Sequence, residues 1–208
     1  PSDPSSAAFF AALAAIHPGL VVSARKVMKN PTRIGFYEKL AAMGVSVKWE
    51  IPDQSTKYLG ETIADLRISR KSNNALKPVE VRSFEVSSLI DEIPALAVVA
   101  SFADGSSRFE GLAELRVKES DRLAQIIDLL TSCGVRCSSG ADWLQIDGNG
   151  DQAVNAFSFS SEDHRMVMAS MILSTRGRGP SKIGGLTWIR TSFPLFLEAF
   201  QNINSYTK

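Results

Sequence analysis

One internal spacing recurs three times in this chain. Asp3, Asp91 and Asp163 each open a run of small and branched apolar residues. A second helix-like segment starts 28 positions after each of them, at Pro31, Glu119 and Thr191 (31−3, 119−91 and 191−163 all give 28). A fixed offset used three times predicts three copies of one supersecondary unit, approximately residues 1–75, 76–150 and 151–208. It also predicts that equivalent helix starts gather at one end of a pseudo-threefold arrangement.

Within each copy the two helical segments differ in kind. The first ones, Ser5 to Ile16, Asp91 to Phe102 and Asp163 to Leu173, are apolar on most faces, which predicts central, buried helices. Each has an Asp able to cap free backbone N–H groups at its start. Pro4 and Pro94 fall in or beside the first turn, where proline is tolerated. The second helices are amphipathic. Ile34, Tyr37, Leu40 and Ala41 form one stripe, and Leu123, Ile126, Ile127 and Leu130 another. Phe193, Leu195, Phe196 and Phe200 form the third, with Gly44 and Gly134 ending the first two helices.

Strand patterns occupy Leu20 to Ser23, Val45 to Trp49, Asp65 to Ser69, Pro78 to Ser83, Ser107 to Glu110, Val135 to Cys137, Trp143 to Asp147 and Ala156 to Ser160. Copy two therefore reads βαβαββ. Copy one lacks its leading strand and copy three its last two. The expected fold class is α/β (α+β) with terminal strands missing. That shortfall, and a start at Pro1 with no methionine, predict a piece of a longer protein whose N-terminal segment completes the domain. Gly148 to Gln152 and Arg176 to Pro180 read as surface turns.

Composition narrows the function classes. With 44% hydrophobic and 22% charged residues over 208 positions, the chain can bury a real core. A net charge of +1 argues against nucleic acid or an anionic membrane as partner, but not against a local cationic pocket. The longest apolar run, Ala7 to Ile16, is too short to span a bilayer, and no signal-peptide pattern precedes it. Cys133 and Cys137 read as reduced thiols of a cytoplasmic protein, with a redox or metal role as the alternative. Too few His and Cys remain to complete a zinc site. His17, before Pro18-Gly19, reads as structural.

The densest charged cluster is Arg116-Val117-Lys118-Glu119-Ser120-Asp121-Arg122, at a helix start. Ser120 or Asp121 could cap that helix, and its free N–H groups favour an anion. Lys118 and Arg122, four apart, could share a side if the helix begins early enough. A solvated helix start with local ion pairs explains the same residues without any function. Asp163-His164-Arg165 and Asp91-Glu92 admit the same bland account, Asp91 being a sufficient helix cap. The repeat is what brings Asp91, Lys118, Glu119, Arg122 and Arg165 to one end. There they would form an anion site with two carboxylates available for proton transfer.

Leu115-Arg116-Val117-Lys118-Glu119-Ser120-Asp121-Arg122-Leu123 closely resembles the signature of the 5-enolpyruvylshikimate-3-phosphate synthase family. Asp163-His164-Arg165-Met166 is similar to a second family signature, and Asp3-Pro4-Ser5-Ser6-Ala7-Ala8 to a third that lies in mid-chain in the family. Asn30-Pro31-Thr32-Arg33 and Thr191-Ser192-Phe193-Pro194 also fit. The resemblance covers nearly the whole chain, but only the C-terminal half of a family member. It implies an enolpyruvyl transferase-like domain of three βαβαββ units whose helix N-termini face an interdomain cleft.

The implied reaction moves the enolpyruvyl group of phosphoenolpyruvate to the 5-hydroxyl of shikimate 3-phosphate and releases phosphate, with no cofactor and no metal. Implied partners are these two substrates and the missing N-terminal domain, which carries further binding residues. By motif match, Arg122 and Arg165 bind phosphoenolpyruvate, while Lys118 and Asp91 contact shikimate 3-phosphate. Asp91 and Glu119 share the proton transfers, and His164 lines the site. Two positions depart from some family members. Glu114 stands where they have Asn, and Arg190-Thr191 where they have Lys, so Arg190 is a candidate replacement. Arg33 carries no assigned role. The alternatives are a related enolpyruvyl transferase acting on a nucleotide sugar and a non-catalytic ligand-binding module on the same fold.

Overall fold

The computed structural model describes residues 2–51, 57, 58 and 60–204; Pro1 lies outside them. The first stretch runs α1 (Pro4–Ile16), β1 (Val21–Lys29), α2 (Gly35–Ala42), β2 (Ser46–Glu50), β3 (Lys57–Tyr58) and β4 (Glu61–Ser69). The second runs β5 (Glu80–Val81), α3 (Ile93–Ala100), β6 (Ser106–Glu110), α4 (Arg122–Ser132), β7 (Arg136–Ser139) and β8 (Trp143–Asp147). The third runs β9 (Ser158–Ser160), α5 (His164–Ser174), β10 (Lys182–Gly184), α6 (Leu186–Ser192) and α7 (Phe196–Asn204). The middle stretch has the βαβαββ order expected from sequence.

Three separate sheets surround the helices. In the first, β4 lies between β1 and β2, antiparallel to both, and β3 also pairs with β4. In the second the order is β5-β6-β8-β7, with β5 parallel to β6 and the other pairs antiparallel. The third is the parallel pair β9 and β10. Parallel pairing of β5 with β6 and of β9 with β10 has a counterpart in the first stretch, where Ser2 bridges Val27 in parallel.

The apolar helices α1, α3 and α5 pack on one another at the centre. Ala8, Ala11, Ala12, Ala14 and Ala15 of α1 are buried, and so are all eight residues of α3. Small side chains let three helices approach closely at near-crystalline density. Phe9 and Phe10 of α1 meet Phe196 of α7 with ring centroids 6.4 and 5.2 Å apart. Among the described residues no helix is long and apolar enough to cross a membrane.

Several sequence expectations are corrected. The 28-residue offset does not mark the start of the last helix. Thr191 sits in the final turn of α6, and a new helix begins at Phe196 because Pro194 cannot continue the old one. Leu195 is therefore exposed and outside the apolar stripe. In the first stretch Pro31–Arg33 is a 3-10 turn, closed by Asn30 accepting from the Thr32 amide, and α2 starts only at Gly35. The expected strand Pro78 to Ser83 shrinks to β5, because Ser83–Ser88 winds into a 3-10 helix with Glu85 accepting from the Arg82 amide. The two turns read as surface features are anchored: Asp151 and Arg176 pair with each other, and Asp151 also holds the buried Arg70.

Cys133 is buried and Cys137 half-buried, both as free thiols. Burial pushes each up to about 11, so neither is a reactive thiolate. Among the described residues no cluster of His, Cys, Asp or Glu could hold a metal ion.

Candidate active site

The N-terminal ends of α1, α3 and α5 converge. Ser5 of α1 and Glu92 line one cleft, and Arg165 of α5 pairs with both Asp91 and Glu92. Asp91 does not cap α3, contrary to the simplest sequence reading. The chain enters α3 through a 3-10 turn, Ile90–Glu92, and no side chain caps the helix. That leaves the Asp91 carboxylate free for other partners. Its Oδ1 accepts from Arg122 Nη1 at 3.1 Å, and its Oδ2 lies 3.4 Å from Arg165 Nη2.

Arg122 is the first residue of α4 and only 1% exposed. Each of its three guanidinium nitrogens meets a different carboxylate. Nε donates to Asp163 at 2.7 Å, Nη1 to Asp91 and Nη2 to Glu119. A buried guanidinium is tolerable only with such charge-assisted bonds around it. Lys118 does not share a helical face with Arg122. It ends a 3-10 helix, Ala113–Val117, in an extended conformation, and α4 starts afresh at Arg122 with Asp121 accepting from the Ala124 amide. Lys118 instead pairs with Glu114. Arg116 is fastened to Asp121 and to the carbonyls of Gly140 and Ala141, which makes it a structural member of the signature.

Asp163 is the residue whose role sequence reasoning understated. It caps α5, as expected, through Oδ1 and the Arg165 amide at 2.9 Å. Its Oδ2 simultaneously accepts from Arg122 Nε and from Ser120 Oγ at 3.0 Å. One fully buried carboxylate thus fixes Arg122 and the start of the helix bearing Arg165. Burial pushes its carboxyl up, but the bonds and charge of Arg122, with the Arg165 amide and Ser120, outweigh this and hold it below the usual range. Its own amide donates to Ser161 Oγ, which donates to Gln125. Gly185 supports that loop. It adopts φ +84°, and a Cβ there would lie 1.9 Å from the Ser161 carbonyl oxygen, so only glycine fits.

Beside this cluster lies a cavity of about 220 Å³ lined by Asp3, Ser6, Glu119, His164, Arg165 and Phe193. Burial lowers the pKa of His164, and Arg165 adds to this, so its ring is neutral at neutral pH. Arg190 is exposed on α6, and that segment contributes Ser192 and Phe193 to the lining. A smaller cleft contains Ser5, Arg33, Asp91 and Glu92. Arg33 donates to Asp3 at 2.9 Å and to Ser5 Oγ at 3.1 Å, so it belongs to this end of the molecule and is no neutral bystander. The sequence signal for Glu92 was an acidic pair inside the apolar run Leu89 to Leu96.

Chemically, this end offers the guanidinium groups of Arg33, Arg122 and Arg165 beside helix N-termini, a lysine at its edge, and carboxylates placed against the cations. Helix N-termini and arginine forks together suit phosphate and carboxylate groups. Asp91 and Glu119 are 39% and 54% exposed, within reach of a ligand held by the arginines.

Known proteins are similar to this chain in sequence and fold. The family model for EPSP synthase (3-phosphoshikimate 1-carboxyvinyltransferase) matches residues 1–200. The 3-phosphoshikimate 1-carboxyvinyltransferase of Methylobacterium radiotolerans is 41% identical over 202 residues, covering 97% of this chain and 44% of that protein. That of Aquifex aeolicus is 40% identical, covering 95% and 44% respectively. A solved EPSP synthase from Acinetobacter baumannii superposes with a TM-score of 0.91 at 37% identity, over 98% of this chain and 46% of that one. The enolpyruvyl transferase NikO from Streptomyces tendae has a TM-score of 0.68 at 13% identity, over 96% of this chain and 42% of that one, which is a likeness of fold alone. The chain spans under half the length of the curated relatives it matches. On the family match and these identities, the chain belongs to the EPSP synthase (3-phosphoshikimate 1-carboxyvinyltransferase) family.

Proposed function

We propose that this chain is the C-terminal domain of a cytoplasmic 3-phosphoshikimate 1-carboxyvinyltransferase. It is built from three copies of one unit and works across a cleft with an N-terminal domain of the same protein. Its ligands are phosphoenolpyruvate and shikimate 3-phosphate, and it needs no cofactor. The observation that carries this reading is Asp91, whose two carboxylate oxygens lie against Arg122 and Arg165.

The transfer joins the 5-hydroxyl oxygen of shikimate 3-phosphate to C2 of phosphoenolpyruvate while C3 takes up a proton. Then the C2–O bond to phosphate breaks and C3 returns a proton, leaving the enol ether and inorganic phosphate. Arg122 and Arg165 hold the phosphate and carboxylate of phosphoenolpyruvate by charge-assisted hydrogen bonds. Lys118 and Asp91 contact shikimate 3-phosphate. Asp91 takes the hydroxyl proton, and Glu119, on the open side of Arg122, serves proton transfer at C3. His164, in the cavity wall, acts as a neutral donor or acceptor.

The test is Arg165→Ala in the full-length enzyme, a better choice than truncating the fully buried Arg122. The Michaelis constant for phosphoenolpyruvate should rise about tenfold to a hundredfold, the worth of one charge-assisted contact. Arg136, 87% exposed, serves as the reference. Equal effects of Arg165→Ala and Arg136→Ala would end the assignment. The chain alone should show no turnover, because the binding energy for the transition state is divided between two domains. Sustained phosphate release by the chain alone would refute that division.

A further inference from the structure

Among the described residues, one buried side-chain polar atom has no hydrogen-bond partner: Oε1 of Glu92. The residue is only 4% exposed. A desolvated carboxyl oxygen without a donor costs stability, so its persistence calls for a reason. Its surroundings are fully specified. Ser5 of α1 lies beside it in the same cleft and favours its charged form. Arg33, before α2, and Asp91, on its own turn, are the nearby charges besides Arg165, and Tyr37 of α2 faces it with its hydroxyl donated to the Pro4 carbonyl. Arg165 Nη1 lies 3.8 Å from Oε1, just beyond hydrogen-bond reach, while the same nitrogen donates to the Asp91 carbonyl at 3.1 Å.

Asp91 has both carboxylate oxygens occupied by guanidinium groups. Each oxygen keeps a second lone pair, and a substrate hydroxyl approaches more openly once one guanidinium moves aside. Arg122 is locked by two further carboxylates and is buried, whereas Arg165 is 16% exposed and has an unused acceptor close by. We propose that Glu92 is a positioning residue that receives the Arg165 guanidinium when it leaves Asp91. This rests on the transferase reading above. The exchange needs less than 1 Å of approach to reach ordinary hydrogen-bond length, about the scale of a side-chain adjustment. It trades the Nη1 bond to the Asp91 main-chain carbonyl for one to Glu92, keeps Arg165 paired, and draws the guanidinium away from the Asp91 carboxylate. Burial pushes the Glu92 carboxyl up, against Ser5, Arg165 and Arg33, so it titrates above an ordinary glutamate.

The test compares wild type and Glu92→Gln in the full-length enzyme, following phosphate release against phosphoenolpyruvate concentration across pH, with melting temperature in parallel. At neutral pH the variant should show a Michaelis constant for phosphoenolpyruvate raised about tenfold, with a lower kcat, and a melting temperature no lower than wild type. As pH falls, wild-type Glu92 takes up a proton and becomes as neutral as glutamine, so the two profiles should converge. Identical kinetics at every pH would overturn the proposal. So would a pH-independent loss accompanied by a lower melting temperature, which marks a merely structural residue. A full-length wild type without transferase activity would instead fail the functional reading itself, and this inference with it.

Discussion

The two ends of the α1, α3 and α5 bundle both hold buried arginines, and use them in opposite ways. At the C-terminal ends, Arg70 is 2% exposed and donates to the carbonyls of Ala15 and Asn74 at 2.6 and 2.9 Å. Arg176 donates to the Ile16 carbonyl and lies 5.0 Å from the Phe102 ring centroid. Asp151 links the two arginines. Cations there complement the helix dipoles, and their carbonyl partners cannot leave. At the N-terminal ends the dipoles disfavour a cation. Arg122 and Arg165 are held there by carboxylates alone or nearly so; Asp163 and Glu92 are buried, but Asp91 and Glu119 are partly exposed. Under the proposed function an entering anion replaces a partly exposed carboxylate, so the same residue type is a fastener at one end and a socket at the other.

The largest expected effect separates chemistry from fastening. In the full-length enzyme, Asp91→Asn and Glu119→Gln should each lower turnover by about 10²–10⁴-fold. Their melting temperatures should change little, because neither carboxylate caps a helix and both are partly solvated. Asp151→Asn should do the reverse. It leaves Arg70 without a charge partner and should cost about 3 kcal/mol of stability with turnover intact. Turnover and urea unfolding on the three variants decide the matter. Similar profiles for all three would erase the distinction between the ends.

Acid should dismantle the two ends in sequence, with a smaller effect. Burial lowers the pKa of His17 to about 4, with Arg176 and Arg70 adding to it, and its Nε2 lies 2.7 Å from Thr175 Oγ1. The native state therefore keeps His17 neutral while the unfolded chain protonates near 6.5. Stability falls as pH drops from about 6.5 to 4, by about 1–2 kcal/mol once solvent screening is allowed for. Asp163 behaves differently. Its lowered pKa contributes stability above the unfolded value of 3.8, lost only as pH falls below it. His17→Gln should flatten the first phase alone. Asp163→Asn, which retains a capping side chain, should cost about 3–5 kcal/mol at neutral pH by breaking the Arg122 pair, and remove the second phase. Urea titrations at several pH values measure both, and a single merged acid transition would contradict the separation.

How far all this was legible depends on the range of each interaction. Asp3 and Asp163 as helix caps, the bounds of β8 and the βαβαββ order of the middle stretch were readable because periodicity and capping are local. The recurring 28-residue spacing led to the expectation that Asp91, Arg122 and Arg165 lie at one end. Invisible were the contacts that join distant positions: Arg70 with Asp151, 81 residues apart, and Arg122 with Asp163, 41 apart. The Asp91 cap failed for a local reason, since the 3-10 turn before α3 turns its side chain to other partners. Likewise α6 was hidden because seven residues ahead of Pro194 carry too short a pattern to register. Asp163 showed one of its two duties in sequence because only the capping one is local.

The smallest effect tests where the socket ends. Glu114 pairs with Lys118 at the rim, with side chains 62% and 23% exposed. As an exposed pair it should contribute about 0–1 kcal/mol to stability, so Glu114→Gln should leave the melting temperature nearly unchanged. Its effect on binding discriminates more sharply. If carboxylates at this end are place-holders for a ligand's negative charge, removing one relieves Lys118 of a competitor. Under the proposed function it also removes a like charge from beside shikimate 3-phosphate. The Michaelis constant for that substrate should then fall about twofold to threefold, equivalent to about 0.5 kcal/mol. The fall should be larger at low ionic strength, where screening between exposed charges is weaker. A rise would mean that Glu114 holds Lys118 in its working position, as Asp163 holds Arg122. The boundary between fasteners and sockets would then run inside the signature segment and not at the bundle's end.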